Sequence, residues 1–246
     1  MRIIHVLDKL GKLGVKRGQI VLGDYDVIGR LTAEKIRKRD NPLFKSAGAF
    51  FRPNLERGIL IDAIIRSHGL SSMLECGFGH GYSATCAARA FDALGNDGNV
   101  TSIDVDFDEN HLAQMKREFP MTWLKRMTLM QGNSSEVLAE LSAAGKRYDL
   151  IYIDGDHTYE GVKRDWEQCK KMANRFVLFD DYHLPSKDSG PGIQVAKLVD
   201  EIDWEAEGYS QPELIRGDRR IFVDDRGIAD ADIDYGQCLV ERMSAL

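Results

Sequence analysis

The 246-residue chain lacks the features that mark secreted and membrane proteins. Its four cysteines are scattered without a C-x-x-C pair, which argues against a disulfide framework or a zinc site and favours reduced thiols. The opening residues, MRIIHVLDKLGKL, hold an apolar stretch too short for a signal peptide, and no run approaches the roughly 18 apolar residues of a membrane span. These absences predict a cytoplasmic protein with no membrane partner.

An excess of positive charge is also absent, since the formal net charge is −6. This balance argues against general nucleic-acid binding. The charge is uneven, however, because residues 1–52 hold 12 Lys and Arg against 5 Asp and Glu. We interpret residues 1–52 as a basic N-terminal extension that is either a solvated surface or a lid or oligomer contact, and residues 53–246 as the domain proper.

From residue 54 onward, short apolar runs alternate with helical segments. The runs at 72–78, 99–106, 126–133, 148–155 and 175–181 predict strands, and the segments 81–94, 108–118, 134–144 and 159–173 predict helices. This alternation predicts an α/β fold with a mostly parallel sheet and helices on both faces. The segment 213–225 predicts an antiparallel terminal hairpin about Gly217-Asp218, which brings the expected sheet to seven strands.

The segment LECGFGHGYS, residues 74–83, places three glycines after the first of these strands. In open parallel sheets, ligands bind outside the carboxyl ends of the strands. A dinucleotide fingerprint that starts at Gly77 requires glycine at position 82, where this chain has Tyr82. The Glu75 carboxylate would repel a pyrophosphate but attract an ammonium group. The loop therefore argues against a dinucleotide and favours S-adenosylmethionine, which carries an ammonium group and no phosphate.

The next two strand ends carry polar residues that suit an adenosine. Asp104 ends the second strand, where a carboxylate can accept hydrogen bonds from both ribose hydroxyls, as it does in NAD-binding folds too. The turn at Gly132, Asn133 and Ser134 ends the third strand and can receive the adenine edge. Each residue has an ordinary alternative, since Asp104 and Ser134 can cap the helices that follow. Because these polar residues follow successive strands in the expected order, together they favour an adenosine-containing cofactor.

Together with the YIDGDH element after the fourth strand, these motifs resemble the class I S-adenosylmethionine-dependent methyltransferases over about residues 54–225. The resemblance implies a Rossmann-like seven-stranded fold, with the glycine loop beneath the methionine part of the cofactor and Asp104 at the ribose. The predicted cofactor-binding residues are Glu75, Gly77, Gly79, Gly81, Ser83, Asp104, Asn133, Ser134 and Asp154.

Acidic residues and histidines follow the fourth and fifth strands, in IDGDHTYEG and LFDDYH. They are Asp154, Asp156, His157, Asp180, Asp181 and His183. Any one of them can be a helix cap or a loop residue, but four carboxylates in one crevice repel one another unless a cation neutralises them. The chain is similar here to cation-dependent O-methyltransferases of the catechol, caffeoyl-CoA and macrolide-sugar kinds. That resemblance implies that Asp154, Asp180 and Asp181 hold Mg²⁺.

In the plant-type members, a lysine three residues past the first metal-binding acid acts as the base, and this chain has His157 at that place. The predicted catalytic residues are Asp154 and His157, and His157, with an ordinary pKa of about 6.5, is the predicted base. The predicted reaction transfers a methyl group to a hydroxyl of a small molecule such as a sugar, polyol or catechol.

Three alternatives remain open, and so do the roles of Asp156 and His183. The chain could be a metal-independent methyltransferase of small molecules, an RNA methyltransferase that uses the basic N-terminal segment, or a non-catalytic S-adenosylmethionine-binding protein. We also expect a homo-oligomer formed through residues 1–52.

Overall fold

The computed structural model describes residues 1–15, 28, 55–183, 194–216 and 235–243, which form an eight-stranded sheet and eight helices. The strands are β1 Arg2–His5, β2 Ser72–Cys76, β3 Asn99–Asp104, β4 Met127–Gln131, β5 Tyr148–Ile153, β6 Ala173–His183, β7 Glu213–Arg216 and β8 Tyr235–Glu241. The helices are α1 Val6–Lys12, α2 Leu55–His68, α3 Tyr82–Leu94, α4 Glu109–Glu118, α5 Met121–Leu124, α6 Ser134–Ala143, α7 Tyr159–Met172 and α8 Val195–Glu201. None of these described helices has both the length and the apolar content that crossing a bilayer requires.

The strand order is β1-β7-β8-β6-β5-β2-β3-β4, and β8 alone among the described strands runs antiparallel to its neighbours. This confirms the predicted α/β fold with a mostly parallel sheet and an antiparallel terminal pair. The observed partner of Glu213–Arg216 is Tyr235–Glu241, while the predicted turn at Gly217-Asp218 lies outside the described residues. The sheet has one strand more than expected, because Arg2–His5 pairs in parallel with β7. A four-residue run is too short to show the period that separates a strand from a loop.

Consecutive side chains of the central strand β5 pack in different cores. Leu150 and Tyr152 pack with α2 and α3, whereas Ile151 and Ile153 pack with α6 and α7. This alternation follows from the two-residue period of a strand, and an apolar strand covered on both faces is typical of parallel sheets. Helices therefore cover both faces of the sheet, as predicted. The ends of the strands are where a ligand can bind.

The chain order reverses between β2 and β5, whose last paired residues are Cys76 and Ile153. Gly77 N donates to the Ile103 carbonyl at 2.9 Å, and Asp154 N donates to the Cys76 carbonyl at 2.9 Å, so the ladder continues one residue past each strand. Such a reversal opens the crevice in which α/β sheets bind ligands.

The first fifteen residues are joined to the sheet. Arg2 and Lys9 both donate to the carboxylate of Glu213, which is buried at the start of β7. Burial acts to raise the pKa of Glu213, but the two cations outweigh it and hold that pKa below its ordinary value. Two charges of the basic segment therefore stabilise the fold itself. Residues 16–27 and 29–54 lie outside the described residues, so the boundary of the extension at residue 52 stays a prediction.

Candidate functional site

The glycine loop after β2 contains three residues with left-handed backbone geometry. The φ angle is 89° at Gly77, 52° at Gly79 and 75° at Gly81. A Cβ on Gly77 would lie 2.1 Å from the carbonyl oxygen of Asp154, so a side chain is excluded where the two loops cross. A Cβ on Gly79 would meet no atom of the described residues within 4 Å. Gly79 therefore lies on the open side of the loop, where a ligand can approach the backbone.

The loop leads into α3 and is tied to the end of β3. Gly81 is the N-cap residue of α3 and offers no side chain to the first N–H groups of the helix. Ser83, in the first turn, is buried. Gly79 N donates to Asp104 Oδ2 at 2.8 Å. The residue predicted to bind the ribose therefore lies beside the loop predicted to bind the methionine part of the cofactor.

Glu75 is buried just before the loop, and Ser102 Oγ donates to its Oε2 at 2.6 Å. Burial raises the pKa of Glu75 to about 8, although the Ser102 bond favours the charged form. The carboxyl is therefore mainly protonated at neutral pH in the ligand-free protein. Sequence reasoning missed Ser102, which lies opposite Glu75 in the register of β2 and β3.

The turn after β4 leads into α6. Asn133 is the N-cap residue of that helix and accepts a hydrogen bond of 3.0 Å from the backbone N–H two residues on. The cap is therefore Asn133 and not Ser134, which was the alternative reading of the sequence. Ser134 Oγ instead donates to Asp165 Oδ1 of α7 at 2.8 Å. Its hydroxyl proton is thus held by a buried acid.

The ends of β5 and β6 bring Asp154, His157 and Asp181 together. His157 Nε2 lies 3.3 Å from Asp154 Oδ1 and 3.4 Å from Asp181 Oδ2. One ligand atom from each residue lies within 4.8 Å of the other two, a spacing that suits a metal ion. Two of the three predicted metal ligands, Asp154 and Asp181, are therefore in this cluster, and the predicted base His157 is its third member.

Asp180, the other predicted ligand, lies outside this group of three, at a point where the strand is irregular. The pairing of β6 with β8 shifts between Phe179 and Tyr182, and Asp181 has a φ angle of 50°. The Asp180 side chain is buried, where Gln237 Nε2 donates to its Oδ1 at 2.8 Å and Arg57 donates to its Oδ2. Both carboxylate oxygens of Asp180 therefore already have donors from the chain.

Arg57 is the functional candidate that the sequence analysis missed. Its Nη1 donates to Asp154 Oδ2 at 2.9 Å and to the Tyr152 hydroxyl at 3.0 Å, in addition to Asp180. Arg57 lies in α2, which precedes β2 directly, so the N-terminal turn of this helix lies at the carboxyl edge of the sheet. The position of Arg57 at the start of the helix before β2 was the sequence signal that could have identified it as a site residue. The guanidinium supplies part of the positive charge that the carboxylates require.

These contacts shift the pKa of every ionisable member of the cluster. The hydrogen bond to Asp154, with further help from Asp181, raises the pKa of His157 to about 9. Burial and then the Asp180 charge raise the pKa of Asp154, and the same two causes raise that of Asp181 to about 7. Burial acts to raise the pKa of Asp180 as well, but Arg57 and the Gln237 bond outweigh it and keep that pKa low. His157 is therefore protonated at pH 7 in the free protein, which differs from the ordinary pKa expected from sequence.

Asp156 and His183 are the two residues whose roles the sequence left open. Asp156 is exposed and accepts a hydrogen bond of 3.0 Å from Thr158 N, while Thr158 itself is the N-cap residue of α7. Asp156 thus supports the start of a helix, which agrees with its ordinary reading. His183 is the last residue of β6, and its side chain is outside the described part of the structure.

Solved structures share this fold over most of the chain. The O-methyltransferase TomG of Streptomyces achromogenes, which is involved in tomaymycin synthesis and was solved with S-adenosylmethionine, superposes with a TM-score of 0.62 at 17% identity, covering 89% of this chain and 90% of that one. The O-methyltransferase of Bacillus cereus, solved with S-adenosylhomocysteine, gives a TM-score of 0.57 at 17% identity over 78% of this chain and 82% of that one.

Sequence comparison agrees over a shorter span. A curated candidate O-methyltransferase of Mycolicibacterium smegmatis is 30% identical over 99 residues, which are 40% of this chain and 45% of that protein. The chain thus matches less than half the length of this relative. Residues 74–182 match the family described as methyltransferase domain, and this span contains the glycine loop, Asp104 and the Asp154–His157–Asp181 cluster. Over residues 74–182, the chain is therefore similar to a methyltransferase domain.

Proposed function

We propose that this protein transfers a methyl group from S-adenosylmethionine to a hydroxyl of a small molecule such as a sugar, polyol or catechol. The observation that carries the proposal is the position of the Asp154–His157–Asp181 cluster. Its loop crosses the glycine loop at Gly77, so a sulfonium held by one loop lies next to acid–base groups on the other. In-line methyl transfer requires this closeness of methyl donor and nucleophile.

The proposed cofactor contacts follow the order of the strand ends. Backbone at Gly77, Gly79 and Gly81 and the first turn at Ser83 receive the methionine part, and Glu75 lies near its ammonium group. Asp104 accepts from the ribose hydroxyls, and Asn133 and Ser134 receive the adenine. The 2.8 Å bond from Gly79 N to Asp104 Oδ2 supports this order, because it joins two successive parts of the proposed site.

The proposed divalent cation fits the cluster in a modified form. Asp154 Oδ1, His157 Nε2 and Asp181 Oδ2 would hold it, whereas Asp180 would first have to leave Arg57 and Gln237. When bound, the cation lowers the pKa of an acceptor hydroxyl and orients it. The predicted Mg²⁺ prefers oxygen ligands, and an imidazole in the set also suits Mn²⁺ or Zn²⁺.

His157 is the proposed base, but its protonation state must change first. Asp154 and Asp181 hold its pKa at about 9 in the free protein, so at pH 7 the imidazole carries a proton. A positive charge nearby, such as the cofactor sulfonium, lowers the pKa of an imidazole. Cofactor binding therefore prepares His157 to accept the proton of the acceptor hydroxyl at Nε2 when no cation is bound to that nitrogen.

Arg57 favours a second candidate, a metal-independent methyltransferase of the same substrate class. The guanidinium already neutralises charge on Asp154 and Asp180, which is the task that the sequence analysis gave to a metal. In this candidate, Arg57 holds Asp154 in place and His157 alone removes the proton.

A homo-oligomer and a cytoplasmic location stay predictions. The four cysteines are buried free thiols.

Calorimetry separates these candidates. Mg²⁺ and, separately, Mn²⁺ are titrated into the protein saturated with S-adenosylhomocysteine, alongside Asp181→Asn and the control Asp156→Asn, whose side chain is exposed and outside the cluster. Saturable binding that Asp181→Asn abolishes and Asp156→Asn retains supports the cation. Cofactor-product binding without metal binding supports the metal-independent candidate. Failure of the parent protein to bind S-adenosylhomocysteine overturns the proposed function.

A further inference from the structure

Asp165 is an acidic residue at a buried helix position where packing favours an apolar side chain. It falls on the buried stripe of α7 with Val162, Trp166 and Cys169, and it is 1% exposed. Aspartate is a poor helix former in a helix interior, and burying a carboxyl group costs free energy unless hydrogen bonds compensate. An aliphatic side chain would serve the core better, so packing does not explain this acid.

The two oxygens of Asp165 face two walls of the proposed cofactor site. Oδ1 accepts the 2.8 Å bond from Ser134 Oγ, at the turn proposed to receive the adenine. Oδ2 lies beneath the loop after β5, since a Cβ on Gly155 would be 3.4 Å from it. The same Cβ would be 3.7 Å from the backbone carbonyl of Cys76, at the end of β2. Asp165 therefore lies directly under the crevice between β2 and β5.

A purely structural role does not account for the hydrogen bonding of Asp165, because one of its two oxygens lacks a donor among the described residues. Its Oδ2 atom is buried and has no hydrogen-bond partner within the part of the chain that the structure describes. A buried acceptor that is left unsatisfied lowers stability, and a local violation of this kind is expected at functional sites. Among the described residues, Ser134 is the one side chain that donates a hydrogen bond to Asp165.

That bond fixes the chemistry that Ser134 offers to a ligand. A serine hydroxyl has one proton to donate and two lone pairs that accept. Because the carboxylate of Asp165 takes the proton, Ser134 Oγ is left as an acceptor. An acceptor at this turn matches the 6-amino group of adenine, which donates, and opposes the 6-oxo group of hypoxanthine, which accepts.

We propose that Asp165 is a positioning residue that fixes the hydroxyl proton of Ser134 and thereby makes the site select a 6-aminopurine over a 6-oxopurine. The inference rests on the proposed cofactor site, but not on the acceptor or the cation. Asp165 is sealed from solvent, so it acts through Ser134 and does not touch the cofactor.

The test measures dissociation constants for S-adenosylhomocysteine and for its 6-oxo analogue, S-inosylhomocysteine, by calorimetry. The parent protein is expected to prefer the 6-amino ligand by about tenfold or more, which is the range for one hydrogen bond that is matched or opposed. Asp165→Leu and Ser134→Ala are each expected to reduce the preference to within about threefold, and the double variant to reduce it no further. Asp165→Asn keeps an oxygen for Ser134 and is expected to retain the preference.

Stability provides the readout that separates positioning from folding. Asp165→Leu removes an unsatisfied buried acid, so its midpoint in urea is expected to equal or exceed that of the parent protein. Glu167→Gln, on the exposed side of the same helix, is the matched control and should change neither quantity. An unchanged ligand preference in Asp165→Leu overturns this inference alone. If the parent protein binds neither ligand, the proposed cofactor site fails with it.

Discussion

Arg57 and Asp154 are 97 positions apart in the chain, yet Arg57 Nη1 donates to Asp154 Oδ2 at 2.9 Å in the crevice. Tyr152 also donates to this oxygen, at 3.2 Å. These two donors leave the other oxygen of Asp154, Oδ1, facing His157. The guanidinium thus determines which carboxylate oxygen is available to the proposed base or cation.

Replacing Arg57 with methionine is expected to destabilise the protein by about 3 kcal/mol, because the nearly buried carboxylate of Asp180 then loses its charged partner. Urea unfolding measures the change. Arg66→Met is the matched control in the same helix, since Arg66 is half exposed and its pair with Asp62 spans 3.6 Å, so we expect less than about 0.5 kcal/mol. Equal stability of the Arg57 variant and the parent protein would show that the pair contributes nothing.

Glu75 is expected to make both stability and cofactor binding depend on pH. Its folded pKa of about 8 exceeds the ordinary value of 4.5, so the folded state holds the proton more tightly than the unfolded state. Stability contributed by the protonated acid therefore declines as pH rises from about 4.5 to about 8. Glu75→Gln, which cannot ionise, is expected to remove this decline in urea unfolding at pH 5 and pH 8.

Binding of S-adenosylhomocysteine at pH 7 should release a proton from Glu75, because its ammonium group favours the carboxylate. Calorimetry in buffers of different ionisation enthalpy counts the released protons. We expect the count to fall by most of one proton in Glu75→Gln. The same count in both proteins would place the ammonium group away from Glu75.

Gly77→Ala is expected to abolish binding of S-adenosylhomocysteine. The substitution forces an alanine into a left-handed conformation and brings its Cβ to 2.1 Å from the Asp154 carbonyl oxygen, so one of the two loops must move. Gly69→Ala, outside the proposed site, is the control for backbone strain alone, since its Cβ meets no described atom within 4 Å and φ is also positive at 59°. A calorimetric titration in which both variants bind equally would contradict the importance of this loop crossing.

His157 is expected to titrate near pH 9 in the ligand-free protein when followed by NMR. Because the folded pKa is raised above the ordinary 6.5, the stability that His157 contributes is fully present below about pH 6.5 and is lost as pH rises through about 9. Asp154→Asn removes the main cause and should lower this pKa toward its ordinary value. An unshifted resonance that titrates near 6.5 in the parent protein would mean that the His157–Asp154 contact does not form in solution.

The strands and helices of the domain followed from sequence because each pattern is local. Runs such as YDLIYI show the apolar continuity of a strand buried on both faces, and the helical segments show one buried stripe. The order of the polar residues at the strand ends could also be predicted, because the carboxyl ends of parallel strands lie at one edge of the sheet. Strand β1 could not be predicted from sequence, because Arg2–His5 is defined by its pairing with β7 and not by its own pattern.

The sequence by itself determined the α/β class, the glycine loop and the order of the polar residues that follow the strands, since these depend on residue type and spacing along the chain. Only the tertiary structure decided how those groups are used. It brought Arg57 and Gln237 to Asp180, placed His157 between Asp154 and Asp181, and set Asp165 beneath Ser134. Hydrogen-bond partners and burial determine charge and pKa, and both arise from contacts between segments far apart in the chain.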